Sequence, residues 1–264
     1  MAVVISAAKF QVPHLKQIVS EAEWDARVNL AAAFRVAYHF NWNDKLTNHI
    51  TCRVPDAPDQ FLMNPHGLGW HEITASNLVK ADFNGNVLSH KDKDVKLAPA
   101  GYNFHSGILK ARPDLNCVMH VHTEDIVVIS ATEEGLIIVD QTACHLYDEV
   151  GYHAFEGYAQ EADEVPRILR DLGDKHTLMM WNHGALAVGN GIPEAVSYMR
   201  KLVDACALQV KLMGTGTKIR RIPEDVLKFT RVQIAEKLRN KPYADIEWAM
   251  YRRLIDEQGS NYAN

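Results

Sequence analysis

His120 and His122 stand one residue apart in Met119-His120-Val121-His122-Thr123, inside an otherwise apolar run. In a strand, residues i and i+2 project to the same side. The two imidazoles would then point together with Cα atoms roughly 6.5–7 Å apart, within reach of one divalent cation. Val118 shares their face, while Cys117, Met119 and Val121 take the other. Two histidines satisfied by ordinary hydrogen bonds explain such a pair equally well, so the metal reading needs a third ligand. Asn182-His183-Gly184 offers one, where the apolar run Thr177–Trp181 enters a turn. Gly184 lets the backbone approach closely there. Three neutral imidazoles with an open fourth position make a catalytic rather than a structural site. Zinc is the default ion, and Mn2+, Fe2+ or Co2+ suit the same donors. Thr123, Asn182 and nearby carbonyls are the groups expected to hold the rings.

The elements that must position these residues follow from the rest of the chain. Its 264 residues, 47% hydrophobic and 23% charged, describe an ordinary soluble globular protein. A net charge of −5 without a basic stripe argues against nucleic acid as a partner. No stretch reads as a signal peptide or a membrane span. Cys52, Cys117, Cys144 and Cys206 are widely spaced, as expected of reduced thiols in a cytoplasmic protein.

Residues 1–19 read as an N-terminal arm. Ser20-Glu21-Ala22-Glu23 fits a capping box opening a helix to about Phe40. His49–Val54 alternates as a half-buried strand, with Gln60–Pro65 as its neighbour. The spacing predicts a short helix over 74–79, a hairpin turn at Asn84-Gly85-Asn86 and a helix from Ala100 that closes before Pro113. Asn116–Thr123 and Gly135–Asp140 read as buried strands, Glu161–Leu172 as a polar-faced helix and His176–Gly191 as strand, turn, strand. Apolar residues recurring from Val196 to Met213, between Pro193 and Gly214, mark a long helix, and Ala244–Glu257 a last one. The simplest organisation is one α/β domain over 20–216, with a helical tail over 217–264 packed on it.

With these elements in view, the chain resembles the class II aldolase/adducin family, in its adducin-head-like branch. The resemblance runs from about Arg27 to Gly216. It rests on Thr47–Val54, Phe61–Asp82, Ala100–Thr123, Met179–Gly189 and the helix Pro193–Val210, in that order. It implies a three-layer α/β/α sandwich around a central, mostly antiparallel sheet. It also implies a cyclic homotetramer with the site near a subunit interface, and a metal held at His120, His122 and His183.

Two departures from the family pattern bear on substrate. Its sugar-phosphate aldolases carry an acidic ligand and base after two phosphate-binding serines, where this chain has Ala98-Pro99-Ala100-Gly101. A phosphate-binding Thr-Gly matches His66-Gly67. His105, one helical turn beyond Gly101, is a candidate replacement for the lost acid or a packing histidine. His145, Tyr152 and His153 are further candidate proton donors, the last two following a strand. Asn48 and His49 match a substrate-facing loop, so Asn48, His66 and Gly67 are the candidate substrate-binding residues, with His66 placed to meet a carboxylate.

The expected activity is that of a metal-dependent lyase. It would break a C–C bond of a non-phosphorylated hydroxy- or keto-acid or aromatic acid, by aldol cleavage or decarboxylation through an enolate. A non-catalytic oligomerisation module like the adducin head and an Fe(II) oxygenase are the competing readings. The absence of a long basic tail weighs against the module.

Overall fold

Ser20 starts the first long helix. Its hydroxyl accepts the Glu23 N–H at 3.0 Å, and α2 (Glu21–His39) follows a one-turn helix α1 (Leu15–Ile18). This is a computed structural model, and it describes residues 7–89, 95, 97, 99–157, 162–238 and 242–264. The reciprocal half of the expected capping box is not made. Glu23 turns its carboxylate instead to Arg27 Nε and Lys80 Nζ, both at 2.8 Å, and so ties α2 to a strand.

Seven strands form one sheet: β1 (His49–Val54), β2 (Ala57–Met63), β3 (Val79–Asp82), β4 (Cys117–Val121), β5 (Val150–His153), β6 (Thr177–Met180) and β7 (Gly184–Gly189). Their order is β3-β2-β1-β4-β7-β6-β5, antiparallel throughout except for the β5–β6 pair. The remaining helices are α3 (Pro99–Ala111), α4 (Glu124–Ser130), α5 (Val165–Leu172), α6 (Ile192–Gly214), α7 (Glu224–Leu238) and α8 (Tyr243–Glu257).

The two faces of β4 divide the core. Cys117, Met119 and Val121 join α2, α4, α6 and α8 on one side, and Val118 joins α3 and α5 on the other. The result is the α/β/α sandwich that the resemblance implies. Ile108 and Leu109 of α3 and Leu172 of α5 are fully buried, so truncating any one to Ala would cost about 2–5 kcal/mol. Trp248 and Tyr251 of α8 share the first core, and Trp248 Nε1 donates to Asn29 of α2 at 3.1 Å.

Several local expectations fail for identifiable reasons. Gly135–Asp140 forms no strand, because side chains take its backbone groups. Leu136 N donates to the Tyr152 hydroxyl, Ile137 N to Gln209 Oε1, and Gln209 Nε2 to the Gly135 carbonyl. Residues 74–79 form a turn into β3 rather than a helix. Thr74 N donates to Asn77 Oδ1, Ala75 N to the Tyr262 carbonyl and Ser76 N to Asn264, while Arg27 holds the Ala75 and Leu78 carbonyls. Gln11 also reaches Thr74, so segments more than 250 positions apart, at Gln11 and at Tyr262–Asn264, meet on this turn. Tyr152 and His153 lie within β5, not after it. Glu161 lies outside the described residues, and α5 begins at Val165 after a 3-10 turn. Met213 stands 44% exposed at the end of α6 rather than inward. Helices α4 and α7 lie outside the elements that the sequence pattern predicts; both carry acidic pairs in the first turn, Glu124-Asp125 and Glu224-Asp225, that suit a helix N-terminus. All four cysteines are free and buried. Among the described residues no helix is long and apolar enough to cross a membrane.

Candidate metal centre

One end of the sheet gathers the imidazoles. In the β1–β4 ladder His49 lies opposite His120, and β4 ends at Val121, leaving His122 just past its edge. Between β6 and β7, Asn182 takes a left-handed conformation (φ 56°) and His183 N closes the turn on the Met180 carbonyl at 3.1 Å. A Cβ on Gly184 would lie 2.5 Å from the Val121 carbonyl oxygen and 2.6 Å from His122 Cδ2. Only glycine permits that approach, and it brings the third ring alongside the other two.

The ring nitrogens of His120, His122 and His183 that face inward all lie within 4.8 Å of one another. The ring centroids are 4.5, 5.0 and 4.7 Å apart. Imidazole nitrogens around a tetrahedral zinc, each about 2.0–2.1 Å from the ion, stand about 3.3 Å apart. That spacing falls between the 2.7 Å separating His120 Nε2 from His122 Nε2 and the 4.8 Å limit of the group. Small ring rotations therefore fit the three donors to one cation.

Outer contacts set the tautomers. His120 Nδ1 donates to the Ala185 carbonyl at 3.0 Å, which leaves the lone pair on Nε2. For His122 Nε2 to offer a lone pair as well, its proton must sit on Nδ1. Two acceptors wait there: Asp44 Oδ2 at 3.5 Å and Thr47 Oγ1 at 3.4 Å. Burial pushes the His183 imidazolium pKa down to about 4, helped by His122 and His153. Burial also lowers His122, against the pull of Asp44, and holds His120 well below its ordinary range. All three favour the neutral form that ligates metal.

A second tier of histidines backs the first. His105 of α3 is fully buried with both nitrogens engaged, Nε2 to His49 Nδ1 at 3.0 Å and Nδ1 to Thr51 Oγ1 at 2.9 Å. It stands behind His49, whose ring stacks on His120 at 5.1 Å between centroids. A Cβ on Gly101 would lie 2.4 Å from His49 Cδ2 and 2.6 Å from Met63 Cε. The room that an acidic side chain would need at position 101 is therefore filled; Ala98 of the same stretch lies outside the described residues.

The other candidates separate. Asn48 is buried beside the centre, its Oδ1 accepting the Asp44 N–H at 2.7 Å. Its Nδ2 and the Thr123 hydroxyl are buried polar atoms with no partner among the described residues. His66 is exposed and Gly67 takes φ 107° in the loop after β2, at the same end of the sheet. His153 is buried between two carboxylates, Nδ1 on Asp171 at 2.7 Å and Nε2 on Glu164 at 3.2 Å. Tyr152 stacks on Trp181 and uses its hydroxyl on Leu136 N. His145 lines a cavity of about 1200 Å3 between α6, α7 and α8, which none of the three converging imidazoles borders. Of the groups expected to hold the rings, a nearby carbonyl, that of Ala185, does so, whereas the Thr123 hydroxyl does not; Asp44 and Thr47 carry no signal in the sequence, because an Asp-x-x-Thr loop just ahead of a strand has no ligand pattern of its own.

Comparisons with known proteins bear on the family and the fold. Residues 28–210 match the model of the class II aldolase and adducin N-terminal domain. A Pseudomonas aeruginosa protein, named provisionally as a class 2 aldolase, is 37% identical over 92% of this chain and 94% of its own. Alpha-adducin of Rattus norvegicus is 37% identical over 72% of this chain but only 26% of its own length. A crystal structure of an aldolase II superfamily protein from Pseudomonas syringae superposes with a TM-score of 0.89, at 35% identity over 95% of this chain and 99% of that one. An L-fuculose 1-phosphate aldolase from Glaciozyma antarctica superposes at 0.79, with 26% identity over 97% and 98%.

Proposed function

The chain belongs to the class II aldolase and adducin N-terminal domain family, and on that premise we propose that it is a divalent-metal-dependent lyase. It breaks a carbon–carbon bond of a non-phosphorylated hydroxy- or keto-acid or aromatic acid, by aldol cleavage or decarboxylation. The observation that carries this reading is the convergence of three neutral imidazoles from one strand end and one separate turn, with inward nitrogens within 4.8 Å.

A bound divalent ion, zinc by preference, supplies Lewis acidity towards a substrate oxygen. The protein's own groups do the rest. Ala185, Asp44 and Thr47 hold the ligand rings in the tautomer that points lone pairs inward. Asn48 Nδ2 and Thr123 Oγ1 bind polar substrate groups, since neither has a partner of its own. His66 meets a substrate carboxylate from the loop after β2. The fuculose-phosphate aldolase likeness favours aldol chemistry. His66-Gly67 and Pro99-Ala100, standing where the family's phosphate-binding residues would be, favour a substrate without phosphate. Four buried free thiols suit a reducing cytoplasm, and a homotetramer is the assembly proposed by family likeness.

The alpha-adducin likeness supports a second reading, a metal-free oligomerisation module. Metal analysis of the purified protein separates the readings. Zinc or manganese, together with aldehyde or carbon dioxide released from a panel of α-keto, β-hydroxy and dihydroxyaromatic acids, supports the lyase. Iron with oxygen uptake supports an oxygenase, and a protein that takes up no metal supports the module. His66→Ala is expected to raise KM with little change in kcat; an unchanged KM removes His66 from the substrate site.

A further inference from the structure

His120 is gripped by more than its hydrogen bond. The Ala185 carbonyl holds one edge of the ring, the flat His49 ring covers it at an interplanar angle of 23°, and Phe104 meets it edge-on at 5.3 Å between centroids. A single N–H···O bond leaves a ring free to rock about the bond axis; a stacked neighbour stops that motion. His49 can serve as that stop only if it is itself fixed, and a chain of contacts fixes it. Thr51 Oγ1, His105 and His49 form a continuous hydrogen-bonded line at 2.9 and 3.0 Å. A neutral imidazole has one donor and one acceptor, so the line is fully satisfied when every bond runs the same way. Glycine at 101 admits the His49 ring, because a Cβ there would overlap its Cδ2 and Cγ at 2.4 and 2.7 Å.

We propose that His49 is a positioning residue for the metal: held by His105 and Thr51 and admitted by Gly101, it locks the His120 ring in its ligating orientation. This rests on reading His120, His122 and His183 as the metal ligands. Losing such outer support weakens metal affinity by about 10–100-fold in comparable sites. The device reaches from α3 to the centre, so two residues that cannot touch the ion, His105 and Gly101, should tune its affinity.

The test is zinc affinity by chelator competition, and the visible spectrum of the cobalt-substituted protein, for wild type, Gly101→Ala, His49→Phe, His105→Phe and the His49→Phe/His105→Phe pair. Thermal unfolding in chelator first establishes which variants are folded at the assay temperature. Gly101→Ala leaves every histidine in place and carries the test if His49→Phe does not fold. The expected result is a zinc Kd raised about tenfold or more in each single variant, with altered cobalt bands, and a double variant no weaker than His49→Phe alone. Wild-type Kd and spectra in folded Gly101→Ala and His105→Phe would overturn the proposal, because a purely packing role lowers thermal stability without moving either. Single effects that multiply in the double variant would overturn the relay through His105. A wild-type protein that binds no zinc or cobalt defeats the metal-centre reading itself, a different outcome from variants that bind as wild type does.

Discussion

His183→Ala tests the metal centre most directly. His183 supplies one of three nitrogens confined within 4.8 Å, from a turn that shares no residue with the His120-Val121-His122 strand end. A ligand that binds only the folded state at 100 times its Kd adds about 2.7 kcal/mol of stability. For a chain of this size that corresponds to a rise in Tm of about 5–10 °C. Outer-shell substitutions alone cost up to about 100-fold in affinity, so loss of a ligand should cost at least that. At the same free zinc the ratio to Kd then falls to about one, and the stabilisation to about 0.4 kcal/mol. The expected Tm response shrinks to about 1 °C. The assay is thermal unfolding at fixed free zinc and in chelator, with His145→Ala as a control because His145 faces the separate helical cavity. A His183→Ala protein that keeps the full zinc-dependent rise refutes the three-imidazole centre.

Three other outcomes follow from the same structure. His153→Ala should destabilise the fold by about 3 kcal/mol, because Glu164 and Asp171 lose their shared partner in a buried setting; a proton donor in catalysis would instead lose kcat at unchanged stability. Gly151→Ala places a Cβ 2.3 Å from the Asp171 carbonyl oxygen and should cost about 1–3 kcal/mol in urea unfolding by pushing β5 from α5. Glu149 and His176 set a pH dependence of stability. The hydrogen bond to Glu149 raises His176 above 6.5; burial works against ionised Glu149, yet His176 and Arg231 hold its carboxyl below 4.5. The His176 contribution is complete below 6.5 and fades as pH climbs through its folded pKa, while that of Glu149 is complete above 4.5 and fades as pH falls. The stability gap between wild type and Glu149→Gln should therefore peak between those values and narrow above neutrality, by unfolding at several pH values.

Much of this was legible in the residues because strand geometry is so regular. The alternation around His120 and His122 sorts Val118 from Cys117 and Met119, and the two cores divide at those residues. His183 was found because a histidine between an apolar strand and a glycine has little to pack against. Residues whose roles depend on distant partners were not legible. Thr47 approaches His122 across 75 positions of sequence. Gly135–Asp140 looks like a strand until Tyr152 and Gln209 are seen to occupy its N–H groups. Val127, Val128 and Ile129 favour a strand by type, yet they sit in α4, where Ile126 and Ile129 pack into the core. Helix α7 leaves Phe229 62% and Val232 55% exposed, so it shows no buried stripe.

The turn at 74–77 has a consequence for how the protein is made. Its bond from the Ser76 hydroxyl to Asn264 spans 188 positions, and Ala75 waits for Tyr262. During synthesis this knot cannot close until residue 264 has cleared the ribosome, long after the sheet can assemble. The entry into β3 is thus completed only after the rest of the sheet can pair. Cleavage after Gly259 would strip the turn of its partners Tyr262 and Asn264 while leaving every strand of the sheet in place.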